Sequence, residues 1–137
     1  MFHYQLGLIK YNDEDWDAYR EVNRIFAKKI ADRVSDGDLV WVHDYHLMML
    51  PTMLREEILR LNKNIHVGFF LHTAFPCDDM FKVLPVRNEL LEGVLRSDLI
   101  GFLTNLYTEH FMNTCSTLLY VRSSPQIKLL NSMREEN

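Results

Sequence analysis

Two short groups of polar residues follow apolar runs of this sequence, and their residue types could do chemistry. His43, Asp44, Tyr45 and His46 stand together after one apolar run, and His72 follows a second. A carboxylate and an imidazole can bind hydroxyl groups, transfer protons or polarise a leaving group. These residue types therefore indicate a site for a polar ligand, provided that the fold brings the two groups together.

Each of these residues also has a purely structural interpretation. A histidine at a strand end is often a packed ring with one hydrogen bond, and the alternation of His43 with Trp41 directs it toward a helix-covered face. Asp44, judged by its position alone, is more often the N-cap of the next helix than a catalytic group. His43 and His46 have a spacing that can bind a metal, but no third ligand is evident in the sequence, so no metal site is predicted. A His-Asp pair also occurs in metal phosphohydrolases, but the lack of further His and Asp ligands in the sequence argues against this class of enzyme.

The sequence around these residues alternates between helical and strand patterns. In residues 12–34 the apolar residues recur at three- and four-residue steps, which is typical of a helix with one buried face: Trp16, Tyr19, Val22, Phe26, Ile30 and Val34. Further helices are predicted at residues 47–61, at 84–95 and from a Thr104 cap to about Cys115, with a short one capped by Asp78 or Asp79. Buried strands are predicted at residues 38–43, 65–71 and 98–102, with a fourth candidate at 118–121. This order predicts an α/β fold, a parallel sheet with flanking helices.

Ligands of an open parallel sheet bind in the crevice beyond the carboxyl ends of its strands. Asp44 and His72 follow the first two predicted strands directly, so they are expected to share that edge. The third strand ends in G-F-L-T, which is chemically much weaker. Arg87, in L-P-V-R-N-E-L-L, could reach a phosphate, although a solvated arginine at a helix start is the commoner outcome. Periodicity and spacing alone support a polar crevice of sugar or nucleotide size.

Composition narrows the class of protein. The 137 residues suffice for one domain with a sizeable core, and 15 basic against 19 acidic residues give a formal charge of −4. This balance gives no sign of the basic surface that binds nucleic acid, and no apolar run reaches the length of a membrane span. Cys77 and Cys115 lack metal-like spacing, and the N-terminus lacks the pattern of a secretory signal, so a cytoplasmic protein is expected.

Several motifs of the sequence resemble those of one enzyme family. They resemble motifs of the glucosyltransferase domain of trehalose-6-phosphate synthases, glucosyltransferase family 20, and the motif sequences are nearest to those of fungal members. The stretches are V-W-V-H-D-Y-H-L-M-M-L-P, V-G-F-F-L-H-T-A-F-P, L-P-V-R-N-E-L-L, S-D-L-I-G-F and W-D-A-Y-R-E-V-N-R-I-F-A. The resemblance runs from Phe2 to about Ser116, with the motifs in the family's order. It divides the chain into a partial acceptor-side domain at residues 1–116 and a divergent tail at residues 117–137 that could be poorly ordered.

This resemblance implies a fold, a reaction and a set of site residues. The fold is the N-terminal half of a GT-B glycosyltransferase, in which two Rossmann-like domains face each other across a cleft. The reaction is glucose transfer from UDP-glucose to glucose 6-phosphate in trehalose biosynthesis, with retained anomeric configuration, no metal and no other cofactor. By the match, Asp44 hydrogen-bonds the acceptor sugar and His72 lies beside the reacting glucosyl unit. Tyr45 shapes the rim of the crevice, and Arg87 completes the expected substrate-binding residues.

The sequence also departs from the family. Ala74 replaces the proline usual in H-T-P-F-P, Leu103 replaces a polar residue, and the residues after Ser116 no longer follow the family. The early glycine-rich loop and the donor-binding C-terminal domain are not in this sequence. Because a retaining transfer needs both halves of the cleft, the isolated chain is expected to be an inactive glucosyltransferase-like polypeptide, and whether it acts as an enzyme stays open.

The alternative is a non-catalytic truncated product, or a regulatory subunit that docks onto a synthase complex. Without the first strands of the domain, the sheet is expected to have an unpaired edge, which favours association. Self-association or binding to synthase subunits is therefore expected, beside the two sugar substrates that the resemblance implies.

Overall fold

The structure, a computed structural model, describes residues 11–119 of the chain. Helices and strands alternate within this range: α1 (Asp13–Ala31), β1 (Leu39–His43), a 3-10 helix (Tyr45–Leu47), α2 (Leu50–Arg60), β2 (His66–Leu71), α3 (Asp78–Phe81), α4 (Arg87–Leu95), β3 (Leu99–Phe102) and α5 (Asn105–Leu119). The predicted α/β class is confirmed. No helix in this part of the chain is long and apolar enough to cross a membrane.

The three strands form one parallel sheet in the order β1-β2-β3. Trp41 of β1 lies opposite Gly68 of β2, and His43 lies opposite Phe70. Parallel neighbours must be joined by crossover connections, and here α2 and the α3–α4 segment supply them. The register brings the carboxyl ends of β1 and β2 to the same edge, as the sequence pattern predicts.

The two faces of the sheet differ in burial. One face carries Val42, Phe69 and Ile100, which are buried in a core shared with the helices. The other carries Leu39, Trp41 and His43 of β1, and we call it the open face because Leu39 is 67% exposed and Trp41 58% exposed. The expectation that His43 and Trp41 point to a helix-covered face is therefore wrong, because the described helices bury the opposite side of the sheet.

Helix α1 is buried along part of the predicted stripe and along a row of smaller residues beside it. Its fully buried residues are Asn23, Ala27 and Ala31, which pack toward α2, whereas Val22 and Phe26 are 48% and 47% exposed. Small side chains let two helices approach closely, and this contact outweighs the burial of the larger apolar residues. The helical period was predicted correctly, and the predicted stripe holds in part: Trp16, Tyr19, Ile30 and Val34 pack against the core, whereas Val22 and Phe26 do not.

Helices α1 and α5 begin with side-chain caps, and the one at Thr104 is the cap predicted from the sequence. Asn12 Oδ1 accepts a hydrogen bond from the Glu14 N–H at 2.9 Å, and Thr104 Oγ1 accepts one from the Tyr107 N–H at 3.3 Å. The predicted cap of the short helix is wrong, because Cys77 is its N-cap while Asp78 and Asp79 lie in the first turn. In that turn both carboxylates are stabilised by the positive end of the helix dipole.

The chain after β3 is more helical than the sequence pattern indicates. Helix α5 continues to Leu119, so the first half of the candidate strand at 118–121 is helical, and its second half lies outside the described residues. Most of the predicted tail at 117–137 also lies outside them, and the division of the chain at residue 116 stays a prediction.

Helix α4 approaches the start of α2 very closely at Gly93. A Cβ atom built on Gly93 would lie 2.5 Å from the carbonyl oxygen of Met48 and 3.3 Å from the Cα of Met49. Only glycine permits this backbone contact. The contact fixes α4 against the segment that follows the candidate site on β1.

Candidate functional site

Asp44 stands where the chain leaves β1, and its backbone is strained. Its N–H donates to the Phe70 carbonyl oxygen at 2.8 Å, which continues the sheet ladder by one residue. Its φ of 69° and ψ of 173° lie in a region that is essentially restricted to glycine and costs about 1–3 kcal/mol. Such strain is found mostly at functional positions, where the surrounding structure imposes it.

The Asp44 side chain also caps the 3-10 helix. Its Oδ1 accepts a hydrogen bond from the Tyr45 N–H at 3.0 Å. The structural interpretation of Asp44 as an N-cap is therefore correct, but it uses only one of the two carboxylate oxygens. Oδ2 has no hydrogen-bond partner among residues 11–119, so Asp44 can cap and still accept a hydrogen bond from a ligand hydroxyl.

His72 is the first residue after β2, and it is hydrogen-bonded to His43. The two ring nitrogens, His43 Nδ1 and His72 Nε2, are 2.9 Å apart. Both side chains are exposed. His43 is thus not the packed support that its strand-end position predicts, and its ring lies directly beside His72.

Four rings form a continuous row at this end of the open face. Ring centroids are 5.0 Å apart for Trp41 and His43, 5.1 Å for His43 and His72, and 4.7 Å for His72 and Phe70. Rows of aromatic and imidazole rings offer both apolar faces and ring nitrogens. This combination suits a sugar, which has apolar C–H faces and polar hydroxyl edges.

Asp44 and His72 emerge at the same edge of the sheet, as predicted. Phe70 links them: its carbonyl oxygen accepts from the Asp44 N–H, and His72 lies two residues further along the same chain segment. The sheet register therefore supplies a carboxylate and an imidazole from two neighbouring strands. It is the arrangement that the sequence pattern indicates for a polar crevice.

Tyr45 borders a separate cavity beside this edge. The cavity has a volume of about 260 Å³, and its lining is mainly apolar and aromatic: Tyr11, Asn12, Asp15, Trp16, Tyr19, Tyr45, Met48, Leu84, Val86 and Leu90. The Tyr45 ring stacks on His46, with centroids 4.2 Å apart. Asp44 and His72 do not line this cavity. Tyr45 does line it and follows Asp44 directly in the chain, so it lies between the cavity and the polar edge. His46 itself is exposed.

Arg87 begins α4 and makes no contact with the histidine pair. Its Nη1 donates to the Leu84 carbonyl oxygen at 3.2 Å, and its buried Nε has no hydrogen-bond partner among the described residues. No hydrogen bond joins Arg87 to Asp44 or His72 within residues 11–119. The fold thus brings together Asp44, Tyr45 and His72, while the expected contact of Arg87 with a phosphate stays a prediction.

Two residues of α1 hold the loop that carries Asp44 and Tyr45. The Tyr19 hydroxyl donates to the Tyr45 carbonyl oxygen at 2.9 Å and accepts from the Met48 N–H at 3.0 Å. Asn23 Nδ2 donates to the carbonyl oxygens of Tyr19 and His46 at 2.9 and 3.1 Å. Together they satisfy backbone groups that the tight turn after β1 leaves without helix or sheet partners.

Burial changes the acidity of the Tyr19 hydroxyl. Desolvation raises the pKa of Tyr19 to about 12, although the hydrogen bond from the Met48 N–H acts in the opposite direction. Tyr19 therefore stays protonated and able to donate at neutral pH. By its helical period alone Tyr19 belongs to an apolar stripe, and Asn23, four residues later, is a polar residue inside the same helix. A hydroxyl and an amide four residues apart on a buried helix face were the available signal.

The histidines and carboxylates of this region do not form a metal centre. Within the described part of the chain, no group of three or more His, Cys, Asp or Glu side chains is placed to hold a metal ion. The chemistry that the site offers is hydrogen bonding to hydroxyl groups by a carboxylate and two imidazoles.

Comparison with known proteins identifies the family. The sequence matches the model of glycosyltransferase family 20 over residues 1–136. The α,α-trehalose-phosphate synthase (UDP-forming) of Emericella nidulans is 57% identical over 125 residues, which are 91% of this chain and 25% of that protein. The chain thus spans about a quarter of the length of this relative.

Solved structures of similar fold carry two different names. The α,α-trehalose-phosphate synthase (UDP-forming) from Burkholderia xenovorans, in complex with glucose-6-phosphate, superimposes with a TM-score of 0.78 at 32% identity, over 85% of this chain and 25% of that one. The N-terminal domain of Candida albicans trehalose-6-phosphate phosphatase superimposes with a TM-score of 0.81 at 35% identity, over 93% of this chain and 28% of that one. The three-stranded sheet with its helices is therefore part of a GT-B trehalose-6-phosphate synthase fold. Since the family model covers nearly the whole sequence, the chain belongs to glycosyltransferase family 20.

Proposed function

We propose that this chain is the acceptor-side part of a trehalose-6-phosphate synthase-like glucosyltransferase. The reaction is glucose transfer from UDP-glucose to glucose 6-phosphate. The observation that carries the proposal is the meeting of Asp44 and His72 at one edge of the sheet, in a member of family 20. The names of two relatives support the substrates, since one synthase is UDP-forming and another is in complex with glucose-6-phosphate.

In the proposed site, each residue makes a different contact. The unpaired Oδ2 of Asp44 accepts a hydrogen bond from a hydroxyl of the acceptor sugar. His72 contacts the glucosyl unit through the ring nitrogen that does not face His43. Tyr45 forms the rim, and Arg87 reaches the acceptor phosphate. Contacts of this kind speed a transfer mainly by orienting the two sugars.

The isolated chain is proposed to bind the acceptor sugar but not to turn over. Transfer between two sugars requires groups on both sides of a cleft, and this chain spans about a quarter of its synthase relative. A sheet edge with one carboxylate and two imidazoles offers hydrogen bonds to hydroxyls but no cationic cluster for a diphosphate. The proposed location is the cytoplasm, which agrees with the two free cysteines.

Two measurements on the purified chain test this proposal. Titration with glucose 6-phosphate, followed by NMR, is expected to shift the signals of Asp44 and His72 at millimolar concentration, and Asp44→Asn is expected to abolish the shifts. Asp32 is exposed at the end of α1 that leads into β1, at the opposite edge of the sheet from Asp44, so Asp32→Asn is a matched control that retains binding. Absence of shifts at saturating sugar would refute the acceptor site, and robust release of UDP from UDP-glucose would refute the inactivity of the isolated chain.

The alternative function is that of a non-catalytic subunit that docks onto a synthase complex. The open face favours it, because Leu39 and Trp41 are large apolar side chains that remain more than half exposed. The similarity to the N-terminal domain of a protein named as a phosphatase shows that this fold also occurs outside proteins named as synthases. Co-elution of the chain with a full-length family 20 synthase, without any shift on addition of glucose 6-phosphate, would favour docking over acceptor binding.

A further inference from the structure

We propose that His43 is a positioning residue, which holds the ring of His72 in one tautomer and one orientation for a sugar ligand. The inference rests on the proposed function for the identity of the ligand. The hydrogen bond between the two rings does not depend on it. Neither the family match nor the names of the relatives assigns a role to His43.

The backbone of both histidines is fixed before their rings meet. His43 is the last residue of β1 and lies opposite Phe70 in the sheet register, while His72 comes directly after β2. The register therefore sets the separation of the two side chains, and the nitrogen atoms meet at 2.9 Å. A contact made by the last residue of one strand and the first residue after its neighbour is more reproducible than one made within a long loop.

The rings on either side restrict the rotation of this pair. Trp41 lies against His43 with centroids 5.0 Å apart, and Phe70 lies against His72 with centroids 4.7 Å apart. Both histidine rings are exposed at their edges, so water competes for their nitrogens. The flanking aromatic rings limit how far each imidazole can turn, and the hydrogen bond between the two nitrogens is the directional contact that remains.

The proton between the rings has a preferred position. One nitrogen must donate and the other accept, because a neutral imidazole has one N–H and one lone pair. If His72 Nε2–H donates to His43 Nδ1, both rings carry their proton on Nε2, which is the more stable tautomer of neutral histidine. The reverse direction would place both protons on Nδ1. The first arrangement leaves His72 Nδ1 as a hydrogen-bond acceptor for a sugar hydroxyl, with a direction fixed by His43.

The test is the ring nitrogen spectrum of the ligand-free chain labelled with ¹⁵N-histidine. In the wild-type chain His72 is expected to show one Nε2–H tautomer. In His43→Phe, which keeps a ring in the stack but removes the nitrogens, His72 is expected to shift to an average of both tautomers. In His43→Asn an amide stands near the position of Nδ1, and the single tautomer is expected to return. His46→Asn is the matched control and is expected to leave His72 unchanged.

The outcomes separate this inference from the proposed function. A mixture of tautomers at His72 in the wild-type chain, or an Nδ1–H form, would overturn the positioning role. An unchanged His72 spectrum in His43→Phe would overturn it as well. If the spectra follow the expectation, glucose 6-phosphate and UDP-glucose are titrated separately, and binding of a sugar that shifts His72 is expected to weaken about fivefold in His43→Phe and recover in His43→Asn. If neither sugar shifts any signal in the wild-type chain, the proposed function fails, while the ligand-free spectra still decide whether His43 holds His72.

Discussion

The Tyr19 hydroxyl lies 2.9 Å from the Tyr45 carbonyl oxygen and so joins α1 to the loop of the candidate site across 26 positions of sequence. The same hydroxyl accepts from the Met48 N–H at the other end of the 3-10 helix. One phenol thus spans the turn whose first residue is the strained Asp44. The geometry of the carboxylate therefore depends on a residue of a different helix.

Removing this hydroxyl is expected to destabilise the fold. In Tyr19→Phe, the Tyr45 carbonyl and the Met48 N–H lose a partner in a partly buried place, so we expect the free energy of unfolding to fall by about 1–3 kcal/mol. Tyr107→Phe is the control, since the Tyr107 hydroxyl makes no hydrogen bond within the described range. Urea denaturation of both variants measures the difference. Equal stability of Tyr19→Phe and the wild-type chain would show that water replaces the lost contacts.

The raised pKa of Tyr19 predicts a loss of stability in alkaline solution. Its pKa is about 12 in the folded chain, above the ordinary value of 10.0, so the folded state retains a proton that the unfolded state releases. This stabilisation is complete below pH 10 and is lost as pH rises toward 12, with about 1 kcal/mol lost between pH 10 and 11. The Tyr19→Phe chain is expected to lack this part of the decrease of stability with pH.

A second buried group contributes in an overlapping range. Burial raises the pKa of the Cys115 thiol to about 12 from 9.0, so its contribution begins to fall near pH 9. Urea denaturation is therefore compared at pH 9, 10 and 11 in wild-type, Tyr19→Phe and Cys115→Ala chains. Parallel curves for wild-type and Tyr19→Phe above pH 10 would contradict the assignment to Tyr19.

Asp44 is expected to tolerate glycine better than alanine. Both substitutions remove the cap to the Tyr45 N–H, but only glycine relieves the backbone at a φ of 69°, so Asp44→Gly should be more stable than Asp44→Ala by about 1–2 kcal/mol. Both should lose binding of glucose 6-phosphate. Asn62→Gly is the control, since Asn62 also has a positive φ, of 52°, but lies after α2 and away from the site. Equal stabilities of the two Asp44 variants would mean that the backbone is not strained.

Gly93→Ala is expected to destabilise the chain, although alanine is the better helix former. The added methyl group would meet the Met48 carbonyl oxygen at 2.5 Å, and backbone atoms cannot move aside as a side chain can. We expect a loss of about 1–3 kcal/mol, against a gain of up to about 1 kcal/mol from helix propensity alone. Asn88→Ala, at an exposed position of the same helix, is the control and should be neutral or stabilising. Thermal denaturation of the two variants decides between packing and propensity.

The fold class and the polar edge could be predicted because they follow from local patterns. Short apolar runs that alternate with helices indicate a parallel sheet, and because Asp44 and His72 each follow a strand directly, they share its carboxyl edge. The spacing of Tyr19 and Asn23 on one helix face is visible in the sequence, but their partners in the loop after β1 could not be predicted, because these depend on how α1 rotates about its axis. That rotation is set by the small residues Ala27 and Ala31 against α2, and an apolar stripe does not reveal it. The exposure of His43 also depends on tertiary structure, since a strand pattern does not say which face of a sheet is covered.

The open face is expected to drive association of the chain. Trp41 is 58% exposed there, and burial of a large apolar side chain against a partner contributes about 1.5–3 kcal/mol. We expect the wild-type chain to self-associate with rising concentration in sedimentation velocity, and Trp41→Lys to weaken this association at least about tenfold. Leu59→Lys is the matched control, because Leu59 is 81% exposed on α2, away from the sheet. A wild-type chain that stays monomeric over the whole range would contradict this prediction. An equal effect of Leu59→Lys would show that exposed apolar surface in general, and not the open face, governs association.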